Sequence, residues 1–169
     1  MKKYFRNKEL KKLAAQSNTI AYKGLDKASS CLILFSNNSP NKVALCLLLE
    51  KMLKDHGIKT ATFGLVTKKL AKNEEPTKNY CFQNQLNWKG FPKKEVVKDL
   101  TKSNYDVIID LGEDLESPND FILLSVKAGL RVGVLKNKPY FDLTVEKANN
   151  NEELLVNEIE HFLKNITKE

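Results

Sequence analysis

Two continuous apolar runs constrain this chain more than any other feature. Residues 31–36, CLILFS, and residues 105–111, YDVIIDL, are too short for buried helices and are rich in branched side chains. A strand that is apolar at successive positions needs cover on both faces, which is the situation of a parallel strand inside a layered α/β domain. The segments around these runs supply the covering helices. After the first run, Ser39 is placed to cap a helix whose first position is Pro40, where the missing N–H costs nothing. That helix reaches about Asp55 and stops at Gly57, a residue suited to the left-handed terminator. Its stretch from Val43 to Leu49 is apolar on nearly every side, so deep packing is expected.

The same reading continues along the chain. Residues 59–66 alternate as a second strand, 67–78 are a polar loop, and 80–82 are a short third strand. A helix near 93–102 turns Val96, Val97 and Leu100 inward. Beyond YDVIIDL comes a helix over 119–128, ended by Gly129, then a strand over 130–135 and a sixth over 141–145. A closing helix follows Asn149-Asn150-Asn151, with Leu154, Leu155, Ile159, Phe162, Leu163 and Ile166 on one side. At the other end, residues 5–23 read as a helix: Leu10, Leu13, Ala14, Ser17, Ile20 and Ala21 share one face, while Lys8, Lys11 and Lys12 share the other with Tyr4, and Gly24 stops it. Alternating strands and helices with short connections predict a single α/β domain over 1–169, a three-layer Rossmann-like sandwich with a mainly parallel sheet of five to six strands. An N-terminal amphipathic basic helix, within residues 1–28, packs on it.

Composition narrows the class further. With 41% hydrophobic and 29% charged residues, disorder and low complexity are excluded. A domain of 169 residues removes roughly 70% of its unfolded-chain surface from water, so neither disulfides nor a structural metal is needed. Cys31, Cys46 and Cys81 form an odd set without CxxC spacing inside apolar stretches, which reads as thiols packed as small hydrophobes in a reducing compartment. No window approaches the roughly 18 apolar residues of a membrane span. A cytoplasmic protein with no cofactor and no metal is therefore expected.

The net charge of +7 is unevenly spread. Residues 1–30 carry Lys2, Lys3, Arg6, Lys8, Lys11, Lys12, Lys23 and Lys27 against Glu9 and Asp26, whereas acidic side chains outnumber basic ones after residue 98. This polarity suits an anionic partner on one side. Lys3, Arg6, Lys8, Lys11 and Lys12 are the candidates to meet it, with RNA, an RNA–protein assembly or an acidic protein as partner. The blander account is a solvated, lysine-rich surface. Trp88, Phe91 and Pro92, beside Lys89, Lys93 and Lys94, form an aromatic and basic mixture that can stack on and neutralise a nucleic acid strand, or simply anchor a loop to the core.

In open parallel sheets, ligands bind beyond the carboxyl ends of the strands. Two segments end there. Ser36, Asn37, Asn38, Ser39 and Lys42 can hold an anion at a helix start, although without glycines they match neither the P-loop nor the dinucleotide fingerprint; a plain helix cap is the alternative. Asp110 ends the clearest strand, followed by Glu113, Asp114 and Glu116, and a carboxylate there suits a general base or Mg²⁺, or serves only as a partner for a helix dipole. No combination of residues constitutes a recognisable catalytic set.

Two resemblances add to this reading. Residues 105–134, from YDVIIDL through AGLRVGV, resemble the strand, helix and strand in the N-terminal half of heptosyltransferase-type glycosyltransferases. The loop after the first strand lacks that family's Gly-Asp, so the resemblance implies the fold and not the activity. Over nearly its whole length, through its basic first helix, the LNWKGFP turn at 86–92 and YDVIIDL, the chain resembles an uncharacterised family of small Bacteroidota proteins, which implies no activity. The expectation is a non-catalytic binding or accessory protein. The alternatives are a small-ligand protein for a nucleotide or phosphorylated metabolite, or a degenerate glycosyltransferase-like enzyme, using Ser36 to Lys42 and Asp110. A structural subunit whose acidic last third binds a basic partner is a third reading.

Overall fold

A computed structural model describes residues 1–16, 18–147 and 149–169. The elements run α1 (Lys2–Ala15), β1 (Ser30–Ser36), α2 (Pro40–Asp55), β2 (Lys59–Val66), β3 (Tyr80–Phe82), α3 (Lys94–Lys102), β4 (Asn104–Asp110), α4 (Asn119–Ser125), β5 (Lys127–Gly133), β6 (Leu143–Thr144) and α5 (Glu152–Asn165). The strands form one sheet in the order β3-β2-β1-β4-β5-β6, and every neighbouring pair is parallel. The chain winds outward from β1 to β3, then returns and winds the other way from β4 to β6. The strand order therefore switches between β1 and β4.

The apolar runs become the central strands because both registers are covered. Cys31, Ile33 and Phe35 of β1, with Val107 and Ile109 of β4, pack against α2 and α5 through Leu45, Leu49, Leu155 and Ile159. Leu32 and Leu34, with Ile108, meet α3 and α4 through Val97, Ile122 and Leu123 on the opposite face. Side chains alternate with a period of two, so apolar residues in both registers hold these strands between two layers. This is the three-layer Rossmann-like sandwich. Outside it lies α1, which packs on α4 and the 87–92 turn through Leu10, Phe91 and Leu124.

α2 starts at Pro40 and ends before Gly57, whose φ is +75°. Ser39 occupies the cap position, but its hydroxyl makes no capping bond. Deep packing of α2 does not occur on all sides: Leu45, Leu49 and Leu53 are buried, whereas Leu47 is 60% exposed, because the helix lies in an outer layer.

The N-terminal helix is shorter than its sequence pattern suggests. It stops at Ala15 because residues 18–22 are drawn into pairing with distant backbone. Ala128 N–H donates to the Asn18 carbonyl (3.1 Å) and Ile20 N–H to the Ala128 carbonyl (3.0 Å), while Tyr22 and Lys168 exchange both bonds at 2.6 and 2.7 Å. Ser17, expected on the apolar face, lies outside the described residues. The same pairing reassigns Gly129, which sits inside β5 and is not a helix terminator. A Cβ there would stand 2.7 Å from the Asp106 carbonyl oxygen and 3.1 Å from that of Ala21, so only glycine fits this crowded crossing.

Other boundaries also shift. α4 ends at Ser125, and the sixth strand shrinks to Leu143–Thr144. α5 is capped by Asn151 Oδ1, which accepts from Glu153 N–H (3.0 Å) and Leu154 N–H (3.2 Å). Its buried stripe is Leu155, Val156, Ile159 and Leu163, with Leu154 and Phe162 outward. Among the described residues, no helix is long and apolar enough to cross a membrane.

Candidate functional site

Where the strand order switches, the connections leaving β1 and β4 diverge, and a cleft of about 450 Å³ opens between them. Ser36, Asn38, Ser39 and Lys42 line one side; Glu113, Asp114, Ser117 and Asn119 line the other; Leu65, Val66, Phe82 and Leu86 provide an apolar wall. Four of the sequence candidates thus meet in one place. Asn37 does not join them: it is exposed, and its N–H is spent on the Leu65 carbonyl (2.8 Å). Lys42 is already engaged, donating from Nζ to the Leu111 carbonyl (3.1 Å) and pairing with Glu113 Oε1 (2.6 Å). Its charge is offset by Glu113, and the exposed Asp114 adds a further carboxylate to the lining.

Asp110 is not a cleft residue. It is fully buried beneath the cleft, where its Oδ1 accepts from Gly112 N–H (3.0 Å) and its Oδ2 lies 3.5 Å from Lys138 Nζ. Lys138 Nζ also reaches Asp120 Oδ1 (2.5 Å), and Asp120 Oδ2 accepts from Ser117 N–H (3.0 Å) and Arg6 Nη2 (3.1 Å). Burial pushes the Asp110 carboxyl above its ordinary range, with Lys138 and the Gly112 N–H holding it back in part. These two carboxylates and two cations form a closed, charge-balanced cluster. A carboxylate so occupied is a structural partner, and the base or metal-ligand role expected for Asp110 does not fit its position.

The cluster also corrects the reading of Arg6. Expected on the basic surface, it is buried: Nη2 donates to the Ser117 carbonyl (2.5 Å), Nη1 to the Gly90 carbonyl (3.4 Å), and the guanidinium stands 4.7 Å from the centre of the Phe91 ring. Arg6 lies four residues before Leu10, on the inward face of α1, and fastens the helix to the domain. Lys3 joins this attachment at the surface through Glu116 (2.7 Å).

The outward face of α1 is different in character. Tyr4, Lys8, Lys11 and Lys12 fall at helical spacing on one side and are exposed, and Tyr4, Asn7, Lys8 and Lys11 line a shallow groove. Among the described residues, Lys8, Lys11 and Lys12 form no ion pair. At the helix start, Tyr4 packs edge-on to Phe5 (5.5 Å between centroids) and Phe5 to Trp88 (5.4 Å). Tyr4 is 65% and Trp88 60% exposed. Within LNWKGFP it is Phe91, not Trp88, that anchors the turn to the core. Lys89 pairs with Glu9 (2.9 Å), while Lys93 and Lys94 stay exposed.

The three thiols are buried. Burial pushes Cys31 far up, Cys46 up to about 12 and Cys81 up to about 11, so all three are protonated at neutral pH and unsuited to nucleophilic attack. Asn119 and Lys138 were not marked by any local pattern: each meets its site only through the fold.

Residues 2–166 match a family of unknown function (DUF6913), and the chain belongs to that family. No curated protein matches it.

Proposed function

We propose that this member of the family is a non-catalytic binding protein of the cytoplasm that holds single-stranded RNA on the face formed by α1 and the 87–92 turn. The observation that carries the reading is the exposure of Tyr4, which shares a groove with Lys8 and Lys11, and of Trp88, joined to Tyr4 through Phe5; Lys8, Lys11 and Lys12 have no ion-pair partner among the described residues. Large aromatic side chains are ordinarily removed from water. Here Phe91 and Leu10 fill the interface beneath, leaving Tyr4 and Trp88 outside it. Exposed rings offer π-faces for unstacked bases, and flanking lysines neutralise the phosphates between them. A duplex, whose bases are already stacked, gains nothing from the rings.

The division of labour along α1 supports this. Arg6, Leu10 and Lys3 hold the helix in place, so the outward lysines are presented on a fixed support and less order is lost on binding. The test is fluorescence anisotropy with a short labelled oligoribonucleotide over a range of salt. Each lysine–phosphate contact contributes about −0.7 to the slope of log affinity against log salt, giving about −2 for three lysines. Reversal of Lys8, Lys11 and Lys12 to Glu removes binding, and Trp88→Ala weakens it without changing the slope. Equal affinity for duplex RNA or polyglutamate, or indifference to these substitutions, contradicts the proposal.

A further inference from the structure

We infer that a pocket at the C-terminal end of α1 is a second site, independent of the RNA-binding face, for a small organic carboxylate held by Arg131. A buried charge without a counter-charge carries this assignment. Among the described residues three cationic side chains are buried: Arg6, Arg131 and Lys138. Arg6 pairs with Asp120, and Lys138 with Asp110 and Asp120. Arg131, 6% exposed, forms no ion pair among the described residues. The carboxylate that acts on it, Asp142, spends Oδ1 on Lys168 Nζ (2.6 Å) and Oδ2 on the Arg131 backbone N–H (2.8 Å). A guanidinium taken from water without its own counter-ion carries a cost, and an anion arriving from outside offsets it.

The guanidinium is fixed at one end and open at the other. Nε donates to the Leu123 carbonyl (2.8 Å), and Nη2 to the carbonyls of Asn18 (2.7 Å) and Val126 (3.0 Å). Nη1 donates to nothing among the described residues, and it is not one of their unpartnered polar atoms that are sealed from water. It therefore keeps a path to solvent. That path is a pocket of about 340 Å³, lined by Arg131 together with Asn18 and Leu124, the residues its guanidinium lies against. The volume suits a small molecule, and the charges select its class. Two cations, Arg131 and Lys168, share the single carboxylate of Asp142, so one negative charge completes the balance. A carboxylate supplies that charge and accepts a charge-assisted hydrogen bond from Nη1; a phosphate dianion exceeds it and stands beside Asp142. Leu13, Ala14, Pro139 and the Tyr140 ring offer an apolar wall for the ligand's hydrocarbon body.

The probe is benzoate, titrated calorimetrically into the unmodified protein while the Arg131 Nε–H signal is followed by NMR. Benzoate is expected to bind saturably and to shift that signal. Benzamide, of the same shape without the charge, is expected to bind about tenfold more weakly or worse, and inorganic phosphate no more tightly than benzoate. Arg131→Met is expected to abolish binding, but it also strips three backbone carbonyls of their donor. The second variant is therefore Ala14→Glu, at an exposed position on the pocket wall, which leaves the Arg131 bonds in place, brings a carboxylate to the pocket and is expected to weaken benzoate about tenfold or more. Heat and signal unmoved by benzoate overturn the inference. Equal affinity for benzoate and benzamide, or benzoate binding unchanged in Ala14→Glu, overturns it by removing the role of charge. Tighter binding of phosphate than of benzoate overturns it in favour of a phosphoryl ligand.

Discussion

Replacing Arg6 by Met tests whether α1 is a fixed part of the domain or a loosely attached basic arm. Its guanidinium donates to the Ser117 carbonyl and to Asp120 Oδ2, and its side chain is 7% exposed. Removing it leaves Asp110 and Asp120 sharing the single cation of Lys138 in a site closed to water. Breaking one partner out of a buried pair costs about 3–5 kcal/mol. Lys138 remains and the Ser117 N–H still serves Asp120, so the lower end, about 3 kcal/mol at pH 7, is expected. For a domain of this size that lowers Tm by roughly 6–12 °C. The loss shrinks as pH falls, because the Asp110 carboxyl already titrates high and takes up the proton that rebalances the cluster. Pairing Arg6→Met with Asp120→Asn removes one charge of each sign and recovers part of the loss. Urea denaturation followed by circular dichroism measures all three at unchanged slope. A loss below about 1 kcal/mol, the ordinary range for a surface ion pair, or a loss independent of pH, would refute the reasoning.

Other outcomes follow from the same structure. Asp106 accepts from the backbone and hydroxyl groups of Ser29 and Ser30 at 2.7 to 3.2 Å; burial opposes ionisation, but these four bonds outweigh it and lower its pKa. A depressed carboxyl stabilises the fold above the ordinary value of 3.8 and ceases to do so as pH falls through its own lower value, so Asp106→Asn flattens the acid limb of a stability–pH curve and costs about 1–2 kcal/mol at pH 7. In α2, Leu49→Ala costs about 2–5 kcal/mol and Leu47→Ala less than about 0.5, by chemical denaturation, reporting which side of that helix is buried. Native Cys31, Cys46 and Cys81 resist a thiol reagent until the protein is unfolded, as their burial and raised pKa values require.

Much of the sheet was legible because its signals are local. The bounds of β2 match the alternation of Lys59–Val66 and those of β3 the short strand expected at Tyr80–Phe82, and Pro40 and Gly57 delimit α2 through their own backbone restrictions. What escaped depends on partners far away in sequence. α1 stops early because Asn18 and Ile20 pair with Ala128, and Gly129 lies in a strand because that pairing leaves no room for a Cβ. In the cleft, Ser36, Asn38, Ser39 and Lys42 were found by the rule that ligands meet strand ends. Asn119 needed the three-dimensional wall, and Lys138 joins Asp110 only across the fold. Arg6 is the one miss with a readable signal: its position four residues before Leu10 places it on the inward face, where a lone cation implies a buried acid.

Trp88 is the only tryptophan in the chain and stands at the proposed contact, so its intrinsic fluorescence reports RNA binding without a label. The most direct measurement is a titration of the unmodified protein with single-stranded oligoribonucleotide at low and high salt. The account predicts saturable quenching at low salt that weakens with a slope of about −2 and is absent from the protein with Lys8, Lys11 and Lys12 reversed to Glu. Fluorescence unmoved by RNA at low salt, or quenched alike in the reversed protein, would contradict it.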